Sequence, residues 1–228
     1  MSLSAFLHLL VSKAFYFSLA TELPDAWEGI VSQELRSNIH SLFEGADAKD
    51  ADAYVRIAQR LLRKGVGILC WHMNDYESIA MWKLYTAGGD GVAITTTVGR
   101  LIHALDDVAD NVYYVGSVEY TDHFRPAASE RQMSIMQPLF QKRKSFSHES
   151  ELRAVVTRDG FLQKTKGESF PLRLESLIER VVVSPEYPLW ALPSLQSIVT
   201  QAGLNITVET SDVLKRPDLL DKSMVQHN

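Results

Sequence analysis

The most constraining feature of this sequence is the segment 68–97, which predicts a strand, an aromatic-rich helix, a glycine turn and a second strand in close succession. The apolar run Ile68-Leu69-Cys70 is typical of a buried strand, and Asn74-Asp75 supplies an N-cap for the helix that follows. Three glycines end that helix, because glycine adopts positive φ without strain. The second strand leads into a run of hydroxyl residues, Thr95, Thr96 and Thr97. The segment predicts the local architecture, but it does not indicate which reaction the protein catalyses.

The composition predicts one domain in a reducing environment. The chain has 228 residues, of which 46% are hydrophobic, enough to fill a sizeable core. Its 23 basic and 28 acidic side chains leave a net charge of −5, which argues against nucleic acid as the main partner. A single cysteine excludes a disulfide framework and favours the cytoplasm. The apolar start of the chain is too short for a signal peptide or a membrane span.

Hydrophobic periodicity predicts an α+β fold: a single domain over 1–216, in which helices flank a mixed, mostly antiparallel sheet of about six strands, followed by a flexible tail over 217–228. The run 13–18 is an aromatic strand with Phe15 and Phe17 on one face and Tyr16 on the other. The amphipathic segments 32–43 and 48–63 are helices. The second of these is expected to bury four large side chains, those of Tyr54, Ile57, Leu61 and Leu62.

A later strand, predicted over 149–157, carries the main candidate for chemistry. Period two places Glu149, Glu151 and Arg153 on one face, about 7 Å apart at each step. Such a carboxylate pair can stabilise positive charge or act as a general base if burial and like charge raise one pKa. The alternative is an exposed edge strand whose ion pair contributes under about 1 kcal/mol. Arg153 either binds a phosphate bidentately or neutralises Glu151.

The remaining candidates each have a structural alternative. Trp82 and Tyr85 form either a stacking wall for a base or nicotinamide ring, or part of the core. His72 either titrates near neutral pH or is a hydrogen-bonded structural residue. Lys142 lies in a short basic run, which either steers a phosphate-bearing ligand or is solvated. No spacing of histidine or cysteine predicts a metal site.

A loop bounded by proline and glycine, 23–29, is rich in functional residue types for a connector. It contains Asp25, Trp27 and Glu28. Loops with such residues often carry function.

Five ordered motifs resemble a bacterial and phage family of domains of unknown function. They are KAFYFS, LPDAWEG, CWHMNDYESIAMWKLYTAGGDGVAI, KRKSFSHESELRAVV and VVVSPEYPLW, which together extend over most of 13–214. The resemblance implies little about activity. Some members of the family look like parts of mobile or phage-defence loci, which implies a possible partner protein from the same locus and a toxin or defence setting.

A weaker resemblance links the chain to ADP-ribosyltransferase folds, through the aromatic first strand, the hydroxyl run and the Glu-x-Glu strand. It implies NAD as a substrate, Glu151 as the catalytic glutamate with Glu149 beside it, and 95–97 as the hydroxyl element. The first strand departs from that pattern, since it offers Tyr16 and no Arg or His. The resemblance therefore needs a cofactor grip from elsewhere, such as Arg153 or His72.

The leading expectation is an enzyme acting on the glycosidic bond of NAD. In it Glu151 steadies the cationic ribosyl centre and Glu149 orients water or an acceptor. Two basic residues, Arg153 and Lys142, hold the pyrophosphate, while Trp82 and Tyr85 shape the pocket. One alternative is a non-catalytic module that recognises a small molecule or a protein. Another is a magnesium-dependent nuclease built on Glu149, Glu151 and Lys142, which needs a further carboxylate such as Asp25 or Glu28.

Overall fold

The computed structural model describes residues 1–45, 47–86, 89–106, 111–122, 134–157 and 160–215. Over these residues the chain forms seven α-helices and ten strands, which confirms the predicted α+β class. The helices are α1 (Leu3–Ser12), α2 (Gln33–Leu42), α3 (Ala48–Lys64), α4 (Ile79–Tyr85), α5 (Val98–Asp106), α6 (Leu174–Leu177) and α7 (Leu192–Gln201). The strands are β1 (Ala14–Phe17), β2 (Val66–His72), β3 (Val92–Thr95), β4 (Val112–Ser117), β5 (Glu119–Thr121), β6 (Gln141–Arg143), β7 (Glu151–Thr157), β8 (Glu168–Pro171), β9 (Arg180–Val183) and β10 (Val208–Thr210).

Strand pairing is mostly antiparallel, as predicted. The antiparallel pairs are β1 with β8, β2 and β4 with β7, and β3 with β9. The parallel pairs are β9 with β10 and β5 with β6. Within the described residues these pairs form four sheets of two or three strands, where the sequence predicts one sheet of about six. Hydrophobic alternation identifies a strand but not the strand it pairs with. The sequence pattern therefore could not predict how the strands group into sheets.

The chain divides into two compact units. The larger unit comprises Ser12–Asp75 and Thr97–Leu177, and the smaller unit comprises Met1–Val11, Tyr76–Thr96 and the chain from Ile178 onward. The segment 68–97 is therefore shared between the two units. The prediction of a single domain over 1–216 stays a prediction, and the predicted tail, 217–228, lies outside the described residues.

The larger unit packs α2 and α3 against the sheet of β2, β7 and β4. Ser32 caps α2 by accepting a hydrogen bond from the Leu35 N–H at 3.1 Å. The buried face of α3 consists of Ala51, Val55, Ala58 and Leu62. The predicted stripe was therefore wrong at three of its four positions, since Tyr54, Ile57 and Leu61 are exposed. Small residues on the buried face bring α3 close to its neighbours, and a pattern of large side chains cannot detect such a face.

In the larger unit, the inward-facing side chains of β1 pack against other aromatic rings. Phe15 and Phe17 are buried and Tyr16 is exposed, as the alternation predicts. The ring centroids of Phe17 and Phe170 are 5.2 Å apart, and those of Phe15 and Trp71 are 5.7 Å apart. On β2, which follows α3, Ile68 is buried whereas Cys70 is exposed, so the predicted buried run is only partly correct.

The smaller unit contains the sheet of β10, β9 and β3 together with α4. The cap of α4 is Ser78, whose hydroxyl accepts from the Met81 N–H at 3.4 Å, so the predicted cap at Asn74-Asp75 was wrong. Trp82 is buried and its indole N–H donates to Glu77 at 2.7 Å. Tyr85, one turn further on, is half exposed.

No helix in the described part of the chain has the length and apolar character needed to cross a membrane.

Candidate functional site

Two sequence motifs that lie more than a hundred residues apart meet in the larger unit and form a group of charged side chains. We call this group the ion cluster. Its carboxylates are Asp25, Glu28, Glu149 and Glu151, and its cations are Lys142, Arg143 and Arg153. The loop 23–29 thus contributes two carboxylates, and the segment 142–153 contributes the other five groups. The ion cluster explains why the loop is rich in charged residues.

Arg153 is the centre of the ion cluster. It projects from β7 and is completely buried. Its Nη1 and Nη2 donate to the two carboxylate oxygens of Glu28 at 2.7 and 2.8 Å, and its Nε donates to Glu151 at 2.7 Å. Nη1 also donates to the Leu139 carbonyl at 2.7 Å. Bidentate pairing of this kind suits the planar guanidinium, and it leaves Arg153 little capacity for a phosphate group.

Lys142 joins the three glutamates. Its ammonium on β6 lies 2.5 Å from an oxygen of Glu149, 2.5 Å from an oxygen of Glu151 and 3.4 Å from Glu28. The Phe146 ring covers the same ammonium, with its centroid 4.7 Å away, in a cation–π contact. Lys142 is therefore buried among carboxylates and an aromatic ring, and a ligand phosphate would have to displace one of them.

Both carboxylates of the loop 23–29 are held by arginine side chains, Asp25 by Arg143 and Glu28 by Arg153. Asp25 accepts from Arg143 at 2.7 and 3.2 Å and also from the Trp27 N–H at 3.1 Å. Gly29 ends the loop at a φ of 65°, and a Cβ there would lie 3.1 Å from the Leu62 carbonyl oxygen. The last position of LPDAWEG therefore requires glycine for both its backbone conformation and its contacts.

Glu149 reaches the ion cluster by a different route from the predicted one. The strand does not include it, because β7 begins at Glu151 and Lys144–Glu149 forms a short 3₁₀ helix. Ser150 between them has a φ of 41°, an uncommon left-handed conformation for a residue other than glycine. This turn lets both carboxylates contact Lys142 although they belong to different elements. The predicted grouping of Glu149 with Glu151 is correct, but the predicted strand over 149–157 begins too early.

The two carboxylates have opposite pKa shifts. Burial and a hydrogen bond with Glu151 raise the pKa of Glu149 above its ordinary value, against the opposing effect of Lys142. Burial also disfavours the ionised form of Glu151, but the hydrogen bonds with Glu149 and Arg153, the charge of Arg153 and the hydrogen bond from Lys142 outweigh it and hold the pKa of Glu151 far below its ordinary value. Of the two carboxyl groups, Glu149 is therefore the one that takes up a proton at the higher pH.

Charge balance favours a proton on one carboxylate of the ion cluster. With every carboxylate ionised, four negative groups face three positive ones, and the ion cluster has a formal charge of −1. One proton on Glu149 makes it neutral. A buried group of charges is most stable when it is balanced, because water cannot screen an excess charge there. Glu149 is also the most exposed of the three glutamates, at 13% of its side chain.

Two further side chains border the carboxylates. The Glu151 N–H donates to the Tyr120 hydroxyl at 2.8 Å, and burial raises the pKa of Tyr120. His72 lies opposite Glu151 in the β2–β7 register, and its Nδ1 is 2.6 Å from the Glu149 carbonyl oxygen. A carbonyl oxygen only accepts, so Nδ1 carries the hydrogen, while Nε2 is buried with no hydrogen-bond partner within the described ranges.

The other predicted site residues are not members of the ion cluster as defined above. Trp82, Tyr85, Thr95 and Thr96 belong to the smaller unit. Thr97 is in the larger unit, where its hydroxyl accepts from the Arg100 N–H at the start of α5. Tyr16 donates to Glu22 at 2.7 Å, and burial followed by this hydrogen bond raises the pKa of Tyr16 to about 12. The roles predicted for these residues stay predictions.

Sequence reasoning did not single out Tyr120, and it considered Arg143 only as part of the basic run around Lys142 that could steer a phosphate-bearing ligand. The nuclease alternative needs Asp25 or Glu28 beside the other carboxylates, and in the structure these two pair with Arg143 and Arg153. Among the residues that the structure describes, no group of three or more His, Cys, Asp or Glu side chains has the arrangement to hold a metal ion.

One family model matches the chain. It is described as "Protein of unknown function (DUF2971)" and it matches residues 81–154. That range includes Lys142, Glu149, Glu151 and Arg153, and it ends at the residue after Arg153. The match supports the resemblance to a family of domains of unknown function. No curated protein and no solved structure matches the chain.

Proposed function

We propose that this protein is an enzyme that acts on a nucleotide, and that it cleaves or transfers at the glycosidic bond of NAD. The observation that carries the proposal is the Glu149–Glu151 pair, in which the pKa of Glu149 is raised and that of Glu151 is lowered although both carboxyl groups contact Lys142. Pairs of carboxyl groups whose pKa values are pushed apart are a common basis of acid–base assignments in active sites. The choice of NAD rests on the resemblance to ADP-ribosyltransferase folds.

Glu149 is the better candidate for direct contact with the ligand. Both oxygens of Glu151 already have a cation partner, since Oε1 accepts from Lys142 and Oε2 accepts from Arg153. The hydrogen bond from Lys142 to Glu149 involves Oε2. The sequence-based roles are therefore revised in this proposal: Glu151 holds the cations in place, and Glu149 exchanges the proton.

The proposed hydrolytic step replaces the bond between C1′ and nicotinamide with a bond between C1′ and a water oxygen. The bond between the ribose C1′ and the nicotinamide nitrogen breaks, and its electron pair leaves with neutral nicotinamide. A water oxygen, or an acceptor atom in the transfer reaction, bonds to C1′ and loses a proton to ionised Glu149. A carboxylate with a raised pKa is a stronger base than an ordinary one, which favours this role. The proposal assigns no phosphate contact to Arg153 or Lys142, because carboxylates already occupy them.

The test is incubation of the purified protein with NAD, followed by mass spectrometry of the nucleotide and of the protein. We expect nicotinamide release or a protein adduct with the wild type, and a loss of at least about a hundredfold with Glu149→Gln, the scale of general acid–base catalysis. Glu175→Gln is the matched control, because Glu175 forms an exposed ion pair with Lys13 in the same unit. Intact NAD and unmodified protein under all conditions would contradict the proposal.

A second candidate is a non-catalytic recognition module. Complete burial of Arg153 and its hydrogen bonds within the protein favour this alternative, because they fit a purely structural ion cluster. A module of this kind would bind a small molecule or a partner protein, including one from a defence or toxin–antitoxin locus. Binding of a nucleotide that leaves the nucleotide intact, with equal affinity in the wild type and Glu149→Gln, would favour it over the enzyme.

A further inference from the structure

The side chain of Glu28 is the most buried of the three glutamates in the ion cluster. It is 1% exposed and comes from the loop 23–29, which is outside the stretch that the family model matches. Both of its oxygens accept hydrogen bonds from Arg153, at 2.7 and 2.8 Å. One of them also lies 3.4 Å from the ammonium of Lys142. Glu28 therefore contacts the two cations that also contact Glu151.

Glu28 attracts Arg153 and Lys142 and so competes for these cations with Glu149 and Glu151. Arg153 uses its Nη1 and Nη2 for Glu28, so that only its Nε points to Glu151. Lys142 is drawn towards Glu28 while it binds Glu149 and Glu151 at 2.5 Å. Without the charge of Glu28, Arg153 and Lys142 would be more available to Glu149 and Glu151, which would favour the ionised form of Glu149.

We infer that Glu28 is a positioning residue: it holds Arg153 and Lys142 from the buried side and thereby keeps Glu149 as the carboxyl group that exchanges a proton with the ligand. The inference rests on the role that the proposed function gives to Glu149. Glu28 itself has no contact with a reacting atom, because it is enclosed by Arg153 and Lys142. Its effect reaches the ligand only through these cations.

Several charged or titratable groups surround Glu149 and enter the same balance. They are Lys142 on β6, Glu151 and Arg153 on β7, Tyr120 on β5, His72 on β2 and Glu28 in the loop. Two of these groups, Glu28 and Arg153, are buried and have other hydrogen-bond partners than Glu149. Removal of the Glu28 charge therefore tests an effect transmitted through the cations, whereas replacement of Lys142 or Glu151 changes the contacts of Glu149 directly.

The experiment follows the side-chain carboxyl resonances of the full-length protein by carbon-13 NMR over a pH titration, with Glu149→Gln and Glu151→Gln used for assignment. In Glu28→Gln, which keeps the shape of the side chain, we expect the Glu149 titration midpoint to move to lower pH. Glu175→Gln is expected to leave it unchanged. A wild-type midpoint for Glu149 in folded Glu28→Gln would overturn the inference, since a merely structural role lowers stability and does not move the titration.

A second variant covers the case in which Glu28→Gln does not fold. Glu28→Asp keeps the charge but is one methylene shorter, which weakens its contact with Arg153. Because the charge remains and only the hold on Arg153 is weaker, the inference expects a smaller downward shift of the Glu149 midpoint in this variant, and an unchanged midpoint would overturn it. The NMR measurement does not need turnover of NAD. An inactive wild type with the expected shift would therefore remove the proposed function alone, and an active wild type with no shift would remove this inference alone.

Discussion

Replacement of Arg153 by methionine tests the ion cluster most severely. The substitution leaves the buried carboxylates of Glu28 and Glu151 without their main partner, and it removes the donor to the Leu139 carbonyl. Loss of one partner from a buried ion pair costs about 3–5 kcal/mol, and total stabilities are about 5–15 kcal/mol. We therefore expect Arg153→Met to remove a large part of the free energy of unfolding of the larger unit.

Urea denaturation followed by circular dichroism and tryptophan fluorescence measures this loss. Lys13→Met is the control, because the Lys13–Glu175 pair is exposed and 3.5 Å long, and exposed pairs contribute at most about 1 kcal/mol. The loss in Arg153→Met should be smaller in acid, because without Arg153 the Glu151 carboxylate is protonated more readily and then no longer needs a cation. A loss below about 1 kcal/mol at neutral pH, equal to that of the control, would show that Arg153 is not the centre of the ion cluster.

Three further predictions concern the pH response and the backbone. Because the folded-state pKa of Glu151 is lowered, its contribution to stability is present above the ordinary value of 4.5 and is lost as the pH falls below it; urea denaturation between pH 6 and about pH 3 should show a flatter acid dependence for Glu151→Gln than for the wild type. Ser150→Gly should raise the free energy of unfolding by about 1 kcal/mol, since the left-handed conformation costs other residues about that much, and a loss of stability there would contradict the assigned turn. Gly29→Ala should lower the free energy of unfolding by about 1–2 kcal/mol, because it combines a positive φ with a close approach to the Leu62 carbonyl, and a neutral result in thermal denaturation would argue against this loop geometry.

The sequence predicted local features better than tertiary ones. The faces of β1 followed from simple alternation, and period two correctly placed Glu151 and Arg153 on one face of β7. It does not account for Glu149, which lies in a 3₁₀ helix before the strand. The buried face of α3 was missed because Ala51 and Ala58 are small, and periodicity gives most weight to large apolar side chains.

The partners in the ion cluster could not be predicted from the sequence. The loop 23–29 stood out for its composition, but no local pattern indicates that Glu28 pairs with Arg153, 125 residues later. The pairing depends on how the loop and β7 come together in the fold, which is a tertiary property. For the same reason the predicted phosphate-binding role of Lys142 and Arg153 could not be weighed before their carboxylate partners were known.

The central claim is that Glu149 takes up a proton at a higher pH than Glu151 does, because the ion cluster raises the pKa of one and lowers that of the other. Carbon-13 NMR titration of the wild-type side-chain carboxyl groups measures this most directly. The account predicts that Glu149 titrates above 4.5, the ordinary glutamate value, whereas Glu151 remains ionised well below it. Two independent titrations, both centred near 4.5, would contradict the account.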